Sequence, residues 1–336
     1  MAVRLKDVAA LAGVSIKTVS NVVHDYEHVA ADTRARVQRA IDELGYRPNL
    51  SARSLRAGRS GLIALAVPEL VSPYFAELTA AVIAAAREHA ITVLVEDTGG
   101  DAETELRIAS GLGTPLLDGV ILSPLRLDKA ALLARPHPVP LVLLGERDFD
   151  LACDHVLIDS VAAAREATAH LVGLGRRRIA ALGAQADPRM ATARQRLRGY
   201  AEALAEAGRP AEPELAPPVR SYRRADGAAG LHRLLGLGEP PDAVFCFNDL
   251  LALGVLRAAY ECGLRVPEDL AVVGVDDIEE ARYAVPSLTT IAPDRAGLAR
   301  EAVAALVARI AGGSGEPARR LVGHHLVVRE STAGRG

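Results

Sequence analysis

Leu5-Lys6-Asp7-Val8-Ala9-Ala10-Leu11-Ala12-Gly13-Val14-Ser15-Ile16-Lys17-Thr18-Val19-Ser20-Asn21-Val22-Val23-His24 reads as two short helices joined by a tight turn. Val8, Leu11 and Ala12 recur at i, i+3 and i+4, which places them on one helical face. Gly13 supplies a turn conformation that other residues resist. Ser15 stands where a hydroxyl caps the next helix by accepting a backbone N–H. On that helix, over 16–24, Val19, Val22 and Val23 share one face. Lys17, Ser20, Asn21 and His24 share the other, with Ile16 and Thr18 at the borders. Valines packed on the first helix would leave a short rod displaying small polar groups and one cation. That is the helix-turn-helix pattern, whose second helix enters the major groove of DNA. There Lys donates to guanine O6 and N7, and Asn pairs bidentately with adenine.

Working outward, a third helix follows a polar loop. Asp32 or Thr33 caps it, Val37, Ala40, Ile41 and Leu44 form its core stripe, and Gly45 and Pro48 stop it. The next stretch, 48–60, carries Arg53, Arg56 and Arg59 around an apolar Leu55. It reads either as a solvated linker or as a segment that folds on DNA. In the second reading the arginines meet phosphates and Leu55 wedges into a base step from the minor groove. Charge follows the same division. Residues 1–60 hold ten Lys/Arg against six Asp/Glu, while 61–336 hold 29 against 36, within a net charge of −3. A basic head on an acidic body fits a nucleic-acid-binding module joined to something else.

The chain's 336 residues suffice for two or three domains. No apolar run reaches the roughly 18 residues of a membrane span, and the N-terminus has no apolar signal core. Cys153, Cys246 and Cys262 are scattered, without the spacing of a disulfide framework or a zinc site, so a cytoplasmic location is expected.

From Gly61 the pattern becomes strands alternating with helices. Apolar strands are expected over 62–67, 91–95, 120–122, 141–144, 155–158, 179–183, 243–247, 270–275, 288–291 and 321–328. Helices are expected over 74–89, 161–175, 192–208, 227–235, 250–262 and 294–310. Near-continuous apolar strands separated by helices imply parallel sheets covered on both faces. In such sheets ligands bind beyond the carboxyl ends of the strands. Tyr74, Phe75, Arg147, Asn248, Asp249 and Asp276 stand there, with Arg196 at a helix start and Tyr222 in a loop. A carboxylate, a guanidinium, an amide and an aromatic face together suit a polyol. A nucleobase stacked on Phe75 or Tyr222 is the other ligand these groups suit. Tyr74 and Phe75 also read as helix-start packing, Asn248 and Asp249 as helix caps, Asp276 as a turn or ion-pair residue, and Arg147 as surface.

The run Leu5-Lys6-Asp7-Val8-Ala9 … Ala12-Gly13-Val14-Ser15 … Thr18-Val19-Ser20 … Leu44-Gly45-Tyr46 … Pro48-Asn49 … Ala52-Arg53-Ser54-Leu55 closely resembles the head and hinge of the LacI/GalR family of bacterial transcription regulators. Arg196-Leu197-Arg198-Gly199-Tyr200, Asn248-Asp249, the run from Pro267 to Asp277 and Leu326-Val327-Val328-Arg329-Glu330-Ser331 continue the resemblance through the body. One departure is Asn21, where many members carry Arg or His.

The resemblance implies an N-terminal all-α helix-turn-helix head with a hinge helix, joined to an α/β periplasmic-binding-protein-like core of two doubly wound parallel-sheet subdomains. The implied bounds are 1–47 for the head and 48–60 for the hinge. The first subdomain takes 61–160 plus 292–322, and the second 161–291 plus 323–332. It further implies DNA contacts by Leu5, Ser15, Ile16, Lys17, Thr18, Ser20, Asn21, His24, Ala52, Arg53, Leu55 and Arg56. Effector contacts fall to Tyr74, Phe75, Arg147, Arg196, Tyr222, Asn248, Asp249 and Asp276, of which Arg196, Asn248 and Asp276 match the family pattern best. The expected protein is a homodimeric repressor of a palindromic operator under a small-molecule effector, a sugar or derivative, with no membrane association. The chain ends soon after Ser331, without the heptad segment that makes some members tetramers. No P-loop, G-x-S-x-G or H-E-x-x-H motif is present, so neither catalysis, a cofactor nor a metal is expected.

Overall fold

Three helices assemble around a small valine-rich core at the N-terminus: α1 (Leu5–Ala12), α2 (Ile16–Val23) and α3 (Ala31–Leu44). They belong to a computed structural model that describes residues 3–23, 26, 28–46, 59–114, 116–135, 139–147, 149, 153–187 and 189–334. Gly13 takes a left-handed φ of 64° after α1, and the Val14 N–H donates to the Ala9 carbonyl at 3.1 Å. Ser15 Oγ then accepts the Thr18 N–H at 3.0 Å, the cap its type suggested. Val8, Ala9, Ala12, Val19, Val22, Val37 and Ala40 are buried together.

Two expectations fail here. The buried face of α1 is Leu5-Val8-Ala9-Ala12, a complete i, i+3, i+4, i+7 stripe, and this turns Leu11 outward at 47% exposure. Neither Asp32 nor Thr33 caps α3. The helix starts two residues earlier than an Asp32 cap would set it, at Ala31 behind Ala30, and Asp32 lies in its first turn, where a carboxylate still faces the positive end of the helix dipole. The expected hinge helix lies outside the described residues.

Residues Gly61–Gly336 form a separate compact unit with two sheets. The first has the order β10-β5-β4-β3-β1-β2, built from β1 (Leu62–Val67), β2 (Thr92–Asp97), β3 (Gly119–Leu122), β4 (Leu141–Leu144), β5 (Asp154–Ile158) and β10 (Arg319–Val322). On one face pack α4 (Pro73–Arg87) and α12 (Arg295–Ile310), and on the other α5 (Ala102–Ala109) and α6 (Lys129–Leu133). The second sheet has the order β11-β9-β8-β7-β6, from β6 (Ile179–Leu182), β7 (Ala243–Cys246), β8 (Ala271–Val275), β9 (Thr289–Pro293) and β11 (His324–Val327). Around it lie α7 (Ser160–Gly173), α8 (Ala191–Glu206), α9 (Arg224–Leu235), α10 (Asp249–Glu261), α11 (Glu279–Tyr283) and α13 (Glu330–Ala333). Central strands such as β3, β4 and β7 are buried at every position, as parallel strands covered on both faces must be.

The chain passes between the sheets three times: from β5 into α7, from β9 into α12, and from β10 into β11. The last passage corrects the single strand expected over 321–328. β10 pairs parallel with β5, Gly323 intervenes, and β11 pairs antiparallel with β9. The change of partner falls where Gly323 and the polar pair His324-His325 interrupt the apolar residues, at the division between 322 and 323 that the implied subdomain bounds had set. β2 also departs from the all-buried pattern. It is an edge strand that begins one residue later and ends two residues later than expected, and it is partly open to solvent.

Candidate functional site

The head presents a compact polar surface along α2. Lys17 and Ile16 are exposed, the latter at 53%, and Thr18, Ser20 and Asn21 are half-buried, while Val19 and Val22 are turned inward. Ser15 Oγ and Thr18 Oγ1 lie 2.8 Å apart at the start of the helix. Leu5 stands apart from this face: it opens α1 and packs, half-buried, against the head's core. His24, Ala52, Arg53, Leu55 and Arg56 lie outside the described residues.

In the second unit a cavity of about 620 Å³ opens where the carboxyl ends of the two sheets' strands face one another. It is lined by Tyr74 and Phe75 at the start of α4, Arg147 after β4, Arg196 on α8, Tyr222 before α9, Asn248 after β7 and Asp276 after β8. Seven of the eight expected effector residues are thus brought together. The eighth, Asp249, is not among them. As the first residue of α10 its side chain turns beneath the cavity floor and is fully buried. There it accepts the Thr290 hydroxyl at 2.6 Å and the Ile278 N–H at 3.0 Å. Asn248, one residue earlier, does both jobs proposed for the pair. Its Oδ1 accepts the Leu251 N–H at 2.9 Å as the helix cap, and its amide donates to the Tyr222 carbonyl at 3.3 Å on the cavity wall.

Two polar atoms on the cavity wall are buried without a partner among the described residues: Arg196 Nε and the Tyr222 hydroxyl. Arg196 is only 5% exposed and spends one nitrogen on the Phe247 carbonyl. Such orphans cost about 1–3 kcal/mol each unless a ligand or water completes them. The Asp276 carboxylate likewise makes no hydrogen bond among the described residues. Burial pushes its pKa up to about 7, against the pull of Arg196 and Arg295 and with the added push of Glu146 and Glu77. Burial also raises the Tyr74 hydroxyl, helped by the charges of Asp276 and Glu146.

Glu146 was passed over in the sequence, although it follows a buried parallel strand as Asp276 does. Its carboxylate accepts the Ser160 hydroxyl at 3.0 Å and the Thr192 hydroxyl at 2.6 Å, and its carbonyl accepts the Gln195 amide at 2.9 Å. The wall of the first sheet is thereby tied to helices of the second. Arg295, on α12, was missed too. It pairs with Glu77 at 2.8 Å and donates to the carbonyls of Asp276 and Asp277. Those two residues take φ values of 122° and 51°, rarely used by side-chain-bearing residues, and Arg295 holds the turn that aims Asp276 into the cavity. At the mouth, Arg223 meets Glu69 of the opposite wall at 2.5 Å. These contacts cross between the two sheets' layers, so the cavity's shape and the angle between the layers are linked.

A helix-turn-helix head and a two-sheet α/β body with a polar interlayer cleft together define a DNA-binding regulator with a ligand-sensing core. Residues 4–49 match the model of bacterial regulatory proteins of the lacI family, and residues 168–332 match that of a periplasmic binding protein-like domain. The HTH-type transcriptional repressor CytR of Escherichia coli (strain K12) is 33% identical over 332 residues, covering 98% of this chain and 96% of the relative. The solved transcriptional regulator CelR–cellobiose complex is 34% identical with a TM-score of 0.74, covering 98% of this chain and 99% of the other. The Lac repressor dimer bound to operator and the anti-inducer ONPF is 31% identical with a TM-score of 0.87, covering 99% of each chain. The chain belongs to the LacI family of bacterial DNA-binding transcriptional regulators, which are not enzymes. Among the described residues no helix is long and apolar enough to cross a membrane.

Proposed function

We propose that this chain is a cytoplasmic repressor that binds a near-palindromic operator as a homodimer and is controlled by a sugar or related polyol in the interlayer cleft. The observation that carries the ligand half is the set of polar groups there: the unpartnered Arg196 Nε and Tyr222 hydroxyl, and the Asp276 carboxylate, which accepts no hydrogen bond among the described residues. Adjacent ring hydroxyls would complete all three, and Tyr74 and Phe75 would cover an apolar sugar face. The bound cellobiose of the similar CelR structure supports this chemistry.

For the DNA half, Lys17, Asn21, Ile16 and their hydroxyl neighbours would read base edges in one half-site per head. A two-fold dimer imposes two-fold symmetry on its site. The described dimer of the similar Lac repressor on its operator supports that arrangement. A ligand that prefers one angle between the layers shifts that equilibrium by its differential affinity, and the coupling to DNA is reciprocal.

The test is a thermal-shift screen of the purified protein against sugars, sugar phosphates, polyols and nucleobases. A ligand at about 100 times its Kd stabilises the native state by about 2.7 kcal/mol. A polyol that raises the midpoint of the wild type but not of Asp276→Ala supports the reading. A nucleobase hit in place of any polyol contradicts it.

A further inference from the structure

The same cleft is chemically lopsided. Its floor carries Asp276, Glu146 and Asn248, but one lip of its mouth is cationic from both sides. Arg126 and Arg147 come from loops of the first layer, and Arg189 from the entry to α8 of the second. Arg147 and Arg189 are close enough to act on one another across the mouth. Arg147's pKa is lowered, chiefly by burial; the charges of Glu105, Asp128 and Asp187 act to raise it, and the like charge of Arg189 adds to the lowering. Arg126 in turn acts on Asp187, Arg189's neighbour.

The acids near this lip are already engaged. Glu105 accepts the backbone N–H groups of Leu125, Arg126 and Leu127 at 2.7, 3.0 and 2.6 Å. Asp128 caps α6 through the Ala131 N–H at 2.7 Å, and Asp187 is held by Arg189 at 2.8 Å. Among the described residues Arg147 donates only to the Leu125 carbonyl, at 2.7 Å, and leans over the Phe149 ring. Among the described residues neither Arg126 nor Arg147 is within ion-pair distance of a carboxylate. Elsewhere in the same unit arginines pair readily, as Arg178 does with Glu212 and Glu214 and Arg309 does with Asp154.

We propose that this lip is an anion subsite, and that the effector is a polyol bearing a phosphate or carboxylate at the end away from Asp276. The inference rests on the polyol reading of the cleft floor. Arg126 and Arg147 on one wall face Arg189, held by Asp187, on the other, and an anion placed between them would gain guanidinium bonds from both walls and draw them inward. Planar guanidinia bind phosphate or carboxylate through paired N–H groups, a stronger bond than a neutral hydroxyl offers. An anionic effector would thus favour the closed angle between the layers through contacts that a neutral sugar lacks.

The experiment is titration calorimetry on the full-length protein at constant ionic strength. The probes are glucose, glucose 6-phosphate, glucuronate, cellobiose and inorganic phosphate. The proteins are wild type, Arg126→Ala/Arg147→Ala and Asp276→Asn. The expected result is that an anionic sugar binds about tenfold tighter than its neutral counterpart, and that the double variant loses this advantage. Whether glucose 6-phosphate or glucuronate gains more tells phosphate from carboxylate. Equal or tighter binding of the neutral sugars overturns the proposal, as does a double variant that keeps the full anionic advantage. Inorganic phosphate binding as tightly as any sugar phosphate means an adventitious ion only, and also overturns it. Silence of all five probes overturns it as well, since an anion subsite must answer to phosphate itself. An anionic advantage that persists in Asp276→Asn with unchanged affinity leaves the subsite standing and removes the polyol reading of the floor.

Discussion

Thr192 donates its hydroxyl to Glu146 across the cleft at 2.6 Å, joining a loop of the first layer to the helix of the second that also carries Arg196. A short bond to a charged acceptor is worth more than an ordinary hydrogen bond, and this one spans the two layers that a ligand must bring together. Thr192→Val keeps the shape and removes the donor. It should lower stability by about 1–2 kcal/mol and weaken ligand coupling to DNA, whereas Thr192→Ser should preserve both. Melting curves, and ligand affinity with and without operator, check this. Equal behaviour of the Val and Ser variants would mean that the bond does not set the layer angle.

Asp276 makes stability depend on pH in an unusual direction. Its folded pKa is raised to about 7, whereas an unfolded Asp titrates near about 3.9. Between those values the native state holds a proton that the unfolded state has lost. The contribution is therefore fully present at low pH and is lost as pH rises through about 7. Asp276→Asn should stabilise the protein at pH 8 by about 1–3 kcal/mol and have little effect at pH 4, as thermal melts at the two pH values would reveal. A uniform shift at both would assign the effect to packing instead.

Asp249 is predicted to behave oppositely to its former companion in the candidate list. Asp249→Ala removes the acceptor of the buried Thr290 hydroxyl and the Ile278 N–H, and should cost about 2–3 kcal/mol. Among the molecules that fold, ligand selectivity should be that of the wild type. A variant of normal stability with altered ligand preference would return Asp249 to the site.

These cases show where sequence reading succeeds and where it stops. Strand ends are legible because buried parallel strands are continuous apolar runs, so Tyr74, Arg147, Asn248 and Asp276 could be placed at one edge before any coordinates. Which of two adjacent polar residues faces the cavity is not legible. Asn248 and Asp249 differ by one helical step of about 100°, and that step separates a wall from a buried floor support. Arg295 was missed for another reason: the implied bounds placed its helix in the first layer, but its reach to the Asp276 and Asp277 carbonyls of the second follows only from how the layers pack. The strand pattern alone ran 321–328 together, although the bounds the resemblance implied already divided it between 322 and 323, and Leu11 was misplaced because the small Ala9 completes the buried stripe in its stead.

On the head, Lys17→Ala should cost about 1–3 kcal/mol at one base pair of the half-site and leave discrimination elsewhere intact. Binding to a set of singly substituted duplexes checks this. A uniform loss over all of them would make Lys17 a phosphate contact.

The most direct measurement is operator affinity, by fluorescence anisotropy on a duplex selected in vitro, with and without the polyol that gives the largest thermal shift. The account predicts a ligand-dependent change of about 5–150-fold in the wild type, matched by the same factor in ligand affinity when operator is present. It further predicts no change in Asp276→Ala, which should still bind the duplex. Operator affinity indifferent to every cleft ligand, or a full response in Asp276→Ala, would contradict the claim that this cleft controls the DNA-binding head.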